Sequence, residues 1–178
     1  MVLGLVAMPP RAIAADAYEL GPESLGRAAG VPAGRVESFE FNDSKVYPGT
    51  QRAGWVYVPA QYDGATPAAL MVFQDGHSYV GTNGALRATV VMDNLIAAGD
   101  MPVTIGVFIN PGHRGDGAPP AEGWGNRSNR AVEYDSLGDA YVKFLTEELL
   151  PFVAARWNLK ISADPKLRAI SGQSSGGI

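Results

Sequence analysis

The 178-residue sequence contains no cysteine, which removes disulfides, thiolate nucleophiles and thiolate metal ligands, and leaves the redox compartment open. Histidine is nearly as scarce. His77 and His113 are the only two and lie far apart, so no close ligand pair suggests zinc, and neither a metal nor another cofactor is expected. No apolar run approaches the ~20 residues of a membrane span. The net charge of -4 and pI near 5.1 give no basic footprint for a nucleic-acid partner. What remains is a mildly acidic chain of one-domain length, with 46% apolar residues available for a core.

The chain divides by composition. Residues 1–15 hold the apolar run Val2 to Met8 and the small-residue pattern Ala12-Ile13-Ala14 that export peptidases accept. They read as a signal-peptide remnant without its positively charged start, which implies a periplasmic or secreted protein. Residues 16–34 mix Gly, Pro, Ala and charge without period and read as a linker. Residues 35–178 carry the organised part. Val36 to Phe41 and Gly54 to Val58 suggest an antiparallel hairpin, with Pro48-Gly49 in its connection.

Ala69 to Gln74 and Val103 to Ile109 are apolar without alternation, as strands covered on both faces are. Leu86, Val90, Val91 and Leu95 predict a helix over 85–98 with Gly99 as its C-terminal cap. Leu137, Tyr141, Leu145, Leu149 and Val153 predict another over 137–157, opened by a Ser136/Asp139 capping box and kinked by Pro151 near Leu150. Leu167 to Ser171 supplies a third parallel strand. The expected fold is α/β: an open, mostly parallel sheet with an N-terminal antiparallel hairpin and helices on its faces. Sites in such sheets lie at strand C-termini. Here those are Asp75-Gly76-His77, the loop Asn110 to Asp135, and the end of the chain.

That end reads Gly172-Gln173-Ser174-Ser175-Gly176-Gly177. A serine with glycines two positions away on each side suits a tight strand-to-helix turn that exposes the hydroxyl, with the amide of Ser175 facing a developing oxyanion. With 22 Gly and ten Ser in the chain, chance delivers this pattern in roughly one such chain in seven, so the preceding strand must carry the reading. A glycine-rich packing turn is the alternative. No Lys follows, which disfavours a phosphate loop.

The loop Asn110 to Asp135 is too long for an idle connection. His113, Trp124 and Arg130 in it are candidate contacts for an aromatic or carboxylate-bearing ester; a solvated loop, with Arg130 paired to Glu133 at the helix start, is the competing reading. Asp75 is expected to support its turn through local backbone hydrogen bonds. Asn42-Asp43-Ser44 and Asn126-Arg127-Ser128 match the glycan acceptor pattern by chance.

Four features in order, Phe73-Gln74-Asp75-Gly76, Phe108-Ile109-Asn110-Pro111-Gly112, Asn129 to Asp135 and the terminal turn, resemble the enterochelin-esterase-like group of α/β-hydrolases. The resemblance covers about residues 30–178. It implies a three-layer α/β-hydrolase sheet, incomplete at the C-terminus, and hydrolysis of a small ester by Ser174, with a second oxyanion amide from Gly76 and His77. Relatives include siderophore esterases, feruloyl esterases and acyltransferases. In this fold the acid and histidine of the triad follow the serine. Both would lie beyond Ile178, so the stretch is expected to be inactive alone, and neither His77 nor His113 fits the base's place. His77 lines the acyl pocket or caps its turn. A non-catalytic carbohydrate- or siderophore-binding module on the same fold is the second reading.

Overall fold

The computed structural model describes residues 19–120 and 127–177. The signal-peptide reading of residues 1–15 and the binding role of Trp124 fall outside these residues. The elements run α1 (Pro22–Leu25), β1 (Arg35–Phe41), β2 (Thr50–Val58), β3 (Ala69–Gln74), α2 (Ala88–Ala98), β4 (Thr104–Ile109), β5 (His113–Arg114) and α3 (Arg130–Tyr134). After them come α4 (Ala140–Lys143), a π-helical stretch Phe144–Leu149, α5 (Leu150–Arg156) and β6 (Arg168–Ser171). The sheet order is β1-β2-β4-β3-β6, with β5 beside β2. β2 is antiparallel to both β1 and β4, while β3 is parallel to β4 and β6. The expected hairpin therefore leads into a parallel block, and the sheet is mixed.

Both faces of β3 and β4 are covered, which explains their unbroken apolar runs, whereas β6, expected as a buried strand, is an exposed edge with Ile170 55% accessible, because only β3 pairs with it. Leu70, Val72, Ile105, Val107 and Ile109 pack with Phe144, Leu145, Leu149 and Val153 from the long helix. On the other face Phe73, Tyr79, Met92, Ile96 and Phe108 form a second cluster under α2. Phe73 and Phe108 stack there at 4.5 Å with an interplanar angle of 5°. A side chain on β3 thus reports its layer by its parity.

Three expectations change. The helix predicted over 137–157 starts at Ala140, and Leu137 is fully exposed. Gly138, at φ 129°, turns the chain just before that start. Asp139 makes no side-chain cap bond and instead pairs with Lys143 one turn on, at 2.9 Å, so there is no capping box. Where a kink is expected of Pro151 near Leu150, the chain widens into the π-helical stretch just before it, where the i→i+5 pattern eases the ring's clash with the preceding turn. That stretch buries Phe144, which the predicted stripe omits.

The segment read as a linker is fastened to α2. Asp93 and Asn94 are buried on that helix and need polar partners. Arg27 pairs with Asp93 at 2.7 Å, Gly34 N–H donates to Asp93 at 2.8 Å, and Asn94 holds Ala28 N–H and the carbonyls of Glu23 and Gly26. Burial, above all, and its bond to Asp93 push the Tyr57 hydroxyl far above its usual pKa, so it stays a donor to Asp93.

Helix α2 closes as expected at Gly99, whose φ is 81°. Gly99 N–H donates to Ile96 and Asp100 N–H to Leu95, a Schellman closure. Nothing lies within 4 Å of a Cβ built there. Gly99→Ala is therefore expected to lose about 1 kcal/mol from backbone strain alone, with no steric component, as read by chemical denaturation.

Candidate active site

Adjacent parallel strands β3 and β6 end at the same edge of the sheet, and both turns that follow are strained. Ser174 has φ 53° and Asp75 has φ 52°, left-handed values uncommon outside glycine. Ser174 is exposed and opens a 3₁₀ turn, Ser174–Gly177, in which Gly176 N–H donates to the Gln173 carbonyl at 2.9 Å. The flanking glycines are required by contact. A Cβ at Gly172 would collide with the Gly176 carbonyl, and one at Gly176 would lie 2.9 Å from Asp75 Oδ2. Ser175 follows in the same turn. The spacing of glycines around the serine is thus a packing solution that brings the elbow against β3.

At the β3 end, Gly76 is as tightly constrained, since a Cβ there would sit 2.5 Å from Ile109 N. Residues Gly76–Ser78 form a 3₁₀ turn, with Ser78 N–H bonded back to Asp75. Asp75, Ser78, Tyr79, Arg130, Gln173 and Ser174 line one cleft of about 300 Å³. The nucleophile candidate and the Gly76 turn therefore meet, as strand C-termini predict.

The remaining candidates fall differently. The His77 amide, expected as an oxyanion donor, already donates to Asn110 Oδ1 at 3.1 Å. The reason is that Asn110 is buried at the end of β4, where its carbonyl oxygen needs donors. The same oxygen lies 2.9 Å from His77 Nδ1, and Ser78 Oγ is 3.1 Å from Nε2. A proton on Nδ1 satisfies both contacts. Both ring nitrogens are thus occupied.

His113 does not line the cleft. It is buried, and neither ring nitrogen has a hydrogen-bond partner among the described residues. Burial first, and the Arg127 charge second, lower its pKa. The folded state therefore holds His113 neutral while the unfolded chain still takes up a proton, so stability is full above the ordinary histidine range and falls as pH drops through it. His113→Phe is expected to flatten the thermal midpoint between about pH 7 and 5, where the unmodified chain declines.

Arg130 does not pair with Glu133. It grips Asp75 with two bonds, Nε to Oδ1 at 2.9 Å and Nη2 to Oδ2 at 2.7 Å. Asp75 is accordingly held from outside its own turn: its carboxylate makes no cap bond to that turn, contrary to the local backbone hydrogen bonds expected of it. Glu133 points into the core, where Arg52 binds it at 2.9 and 3.2 Å and neither side chain is exposed. Glu133 also accepts from Gly112 N–H at 3.1 Å and Asn129 Nδ2 at 2.9 Å, which ties the start of the long loop to α3. Arg52 lies in the stretch read as a connection, which is in fact the first half of β2.

Tyr134 and Tyr79 have no counterpart among the sequence candidates. The Tyr134 hydroxyl accepts from Asp75 N–H at 3.3 Å, and its place four residues after Arg130 on α3 is the signal that could have found it. Burial, then the Asp75 charge, raises its pKa, so it is neutral. Tyr79 packs on Phe73, with the ring centres 5.2 Å apart, and lines the cleft beside Ser174. Among the described residues there is no group of acidic and histidine side chains suited to a metal, and no helix is long and apolar enough to cross a membrane.

A family model described as "Putative esterase" matches residues 45–178. Several solved structures are similar in fold. A ferulic acid esterase from Anaeromyces mucronatus, in complex with ferulic acid, is 17% identical with a TM-score of 0.61, over 88% of this chain and 55% of that one. The enterobactin hydrolase IroE, in complex with DFP, is 14% identical with a TM-score of 0.55, over 81% and 55%. A feruloyl esterase module from Clostridium thermocellum, complexed with sinapinate, is 15% identical with a TM-score of 0.52, over 88% and 50%. The chain spans about half the length of these structures. No curated protein matches the sequence.

Proposed function

The chain belongs to the esterase family described as "Putative esterase", and from that premise we propose that it hydrolyses a small carboxylic ester with Ser174 as nucleophile. The observation that carries this reading is the left-handed backbone of Ser174 between glycines that contact one another and β3. A serine kept in that strained region, exposed in a cleft, has a catalytic rationale and no packing one.

In this mechanism Ser174 Oγ attacks the ester carbonyl carbon and loses its proton to a general base. The tetrahedral oxyanion is held by the Ser175 amide and a second amide from the β3 turn. Gly76 supplies that amide, or His77 does by exchanging Asn110 for substrate oxygen. Collapse expels the alcohol, which takes the proton from the base, and water then releases the acid from the acyl-enzyme. Neither described histidine serves as that base: the ring nitrogens of His77 face Asn110 and Ser78 rather than Ser174, and His113 is buried away from the cleft that holds Ser174. The substrate class that accords with the family and its structural relatives is a siderophore, feruloyl or similar acyl ester.

Labelling tests the reading without needing turnover. A fluorophosphonate probe is expected to modify the gene's intact product at the peptide containing Ser174, and mass spectrometry locates the adduct; modification elsewhere, with Ser174 unlabelled, would refute the assignment. The 178-residue stretch expressed alone is expected to turn over p-nitrophenyl acetate no faster than its own Ser174→Ala variant, since no base is available among its described residues. Methyl ferulate and a catecholate siderophore ester, assayed side by side, then decide the acyl group.

A further inference from the structure

One short helix grips both strained turns. Arg130 and Tyr134 stand one turn apart on α3, with the guanidinium 5.2 Å from the centre of the Tyr134 ring. Tyr134 accepts the backbone N–H of Asp75, and Arg130 holds the carboxylate of the same residue by two bonds. Arg130 Nη2 also reaches the carbonyl of Gln173, at 3.4 Å, the residue immediately before Ser174. That carbonyl is the one that accepts Gly176 N–H inside the elbow. On the far side, the elbow backbone at Gly176 rests against the Asp75 carboxylate.

We propose that Arg130, seated on Tyr134, is a positioning residue that holds the Asp75 turn and the Ser174 elbow at a fixed separation, and is not a substrate-binding group. The inference rests on the reading of Ser174 as nucleophile. Its physical basis is that two left-handed turns on neighbouring strands have no covalent link near the cleft. Each is strained, so each relaxes unless something over-determines it. The Asp75 carboxylate is the shared object: it abuts Gly176, and its other oxygen contacts are taken by a guanidinium that also bonds the elbow. Both turns thus answer to α3. The guanidinium is only 19% exposed, and its Nε and Nη2 are already engaged, so a substrate carboxylate would have to displace Asp75 to use them. A bidentate fork is needed for this role, and an ammonium cannot reproduce it.

The test compares Arg130→Ala, Arg130→Lys and Tyr134→Phe in the gene's intact product, with thermal denaturation to count folded protein. Arg130→Ala is expected to lower kcat for p-nitrophenyl acetate about 100-fold, the cost of misplacing reacting groups by about an ångström, while KM stays within about threefold. Arg130→Lys should recover only part of the loss, and millimolar guanidinium ion should restore turnover to Arg130→Ala. Tyr134→Phe keeps ring and volume while removing the acceptor for Asp75 N–H; it should lower kcat several-fold and serves as the test if Arg130→Ala does not fold. Folded Arg130→Ala or Tyr134→Phe with unchanged kcat, or a loss confined to KM, would overturn the proposal. Ser174→Ala in parallel separates the two failures: full turnover in that variant sinks the nucleophile assignment, whereas an inactive Ser174→Ala beside a fully active Arg130→Ala sinks only the clamp.

Discussion

Replacing Ser174 by alanine in the gene's intact product is expected to lower kcat toward p-nitrophenyl acetate by about 10⁶-fold, the scale seen when a serine hydrolase loses its nucleophile. What survives is the ~10³ to 10⁴-fold enhancement that oxyanion donors and binding alone sustain. A second variant gives this expectation a sharper edge. Ser174 sits at φ 53°, where a side chain costs roughly 1 kcal/mol or more relative to glycine. Alanine keeps that strain, so Ser174→Ala should unfold at nearly the same denaturant midpoint as the parent. Glycine releases it, so Ser174→Gly should be about 1 kcal/mol more stable and equally inactive. Stability gained while activity is lost is the signature of strain held for chemistry. A Ser174→Gly variant that is less stable would instead mark the serine as a structural residue, and one that retains turnover would remove it from the mechanism.

How much of this the amino-acid sequence announces depends on the kind of signal. Unbroken apolar runs in Ala69 to Gln74 and at Thr104 to Ile109 are short and bounded by turn residues, which marks them as doubly covered strands, so these two members of the parallel block are readable from pattern. Gly99 ends α2 because no other residue takes that backbone without cost. The elbow is readable for the same reason, since glycines at fixed offsets report contacts that a Cβ would forbid. Partner choice is not readable in that way. Arg130 has two acidic candidates, Asp75 and Glu133, and spacing along the chain favours the near one. The fold decides otherwise because Glu133 faces inward on α3 and finds Arg52, a residue distant in sequence on β2. Leu137 misleads for a related reason: its spacing fits the apolar stripe, but Gly138 turns the chain before the helix begins. Local periodicity is blind to long-range pairing and to the glycine that interrupts it.

That buried pair carries the second large effect. Arg52 and Glu133 are fully enclosed, joined at 2.9 and 3.2 Å, and the guanidinium lies 4.1 Å from the centre of the Phe144 ring. Thr50 Oγ1 takes a further Arg52 bond at 2.6 Å. Removing one partner leaves an uncompensated charge in a dry site, so Glu133→Ala is expected to cost about 3–5 kcal/mol and lower the thermal midpoint by roughly 10 °C. Replacing both, as Arg52→Met with Glu133→Leu, should recover most of that loss, because the desolvation of two charges is no longer required. Recovery should stop short of completion, since Gly112 N–H and Asn129 Nδ2 lose their acceptor in the double variant as well. The distinction matters for the cleft. Glu133 lies between Arg130 and Tyr134 on α3, so the same five-residue helix is anchored to the core on one side and holds both strained turns on the other. If the double variant regains stability while its kcat stays depressed with KM unchanged, the buried pair acts on the proposed site by fixing α3 rather than by holding the domain together. A double variant restored in both respects would confine Arg52 and Glu133 to stability alone.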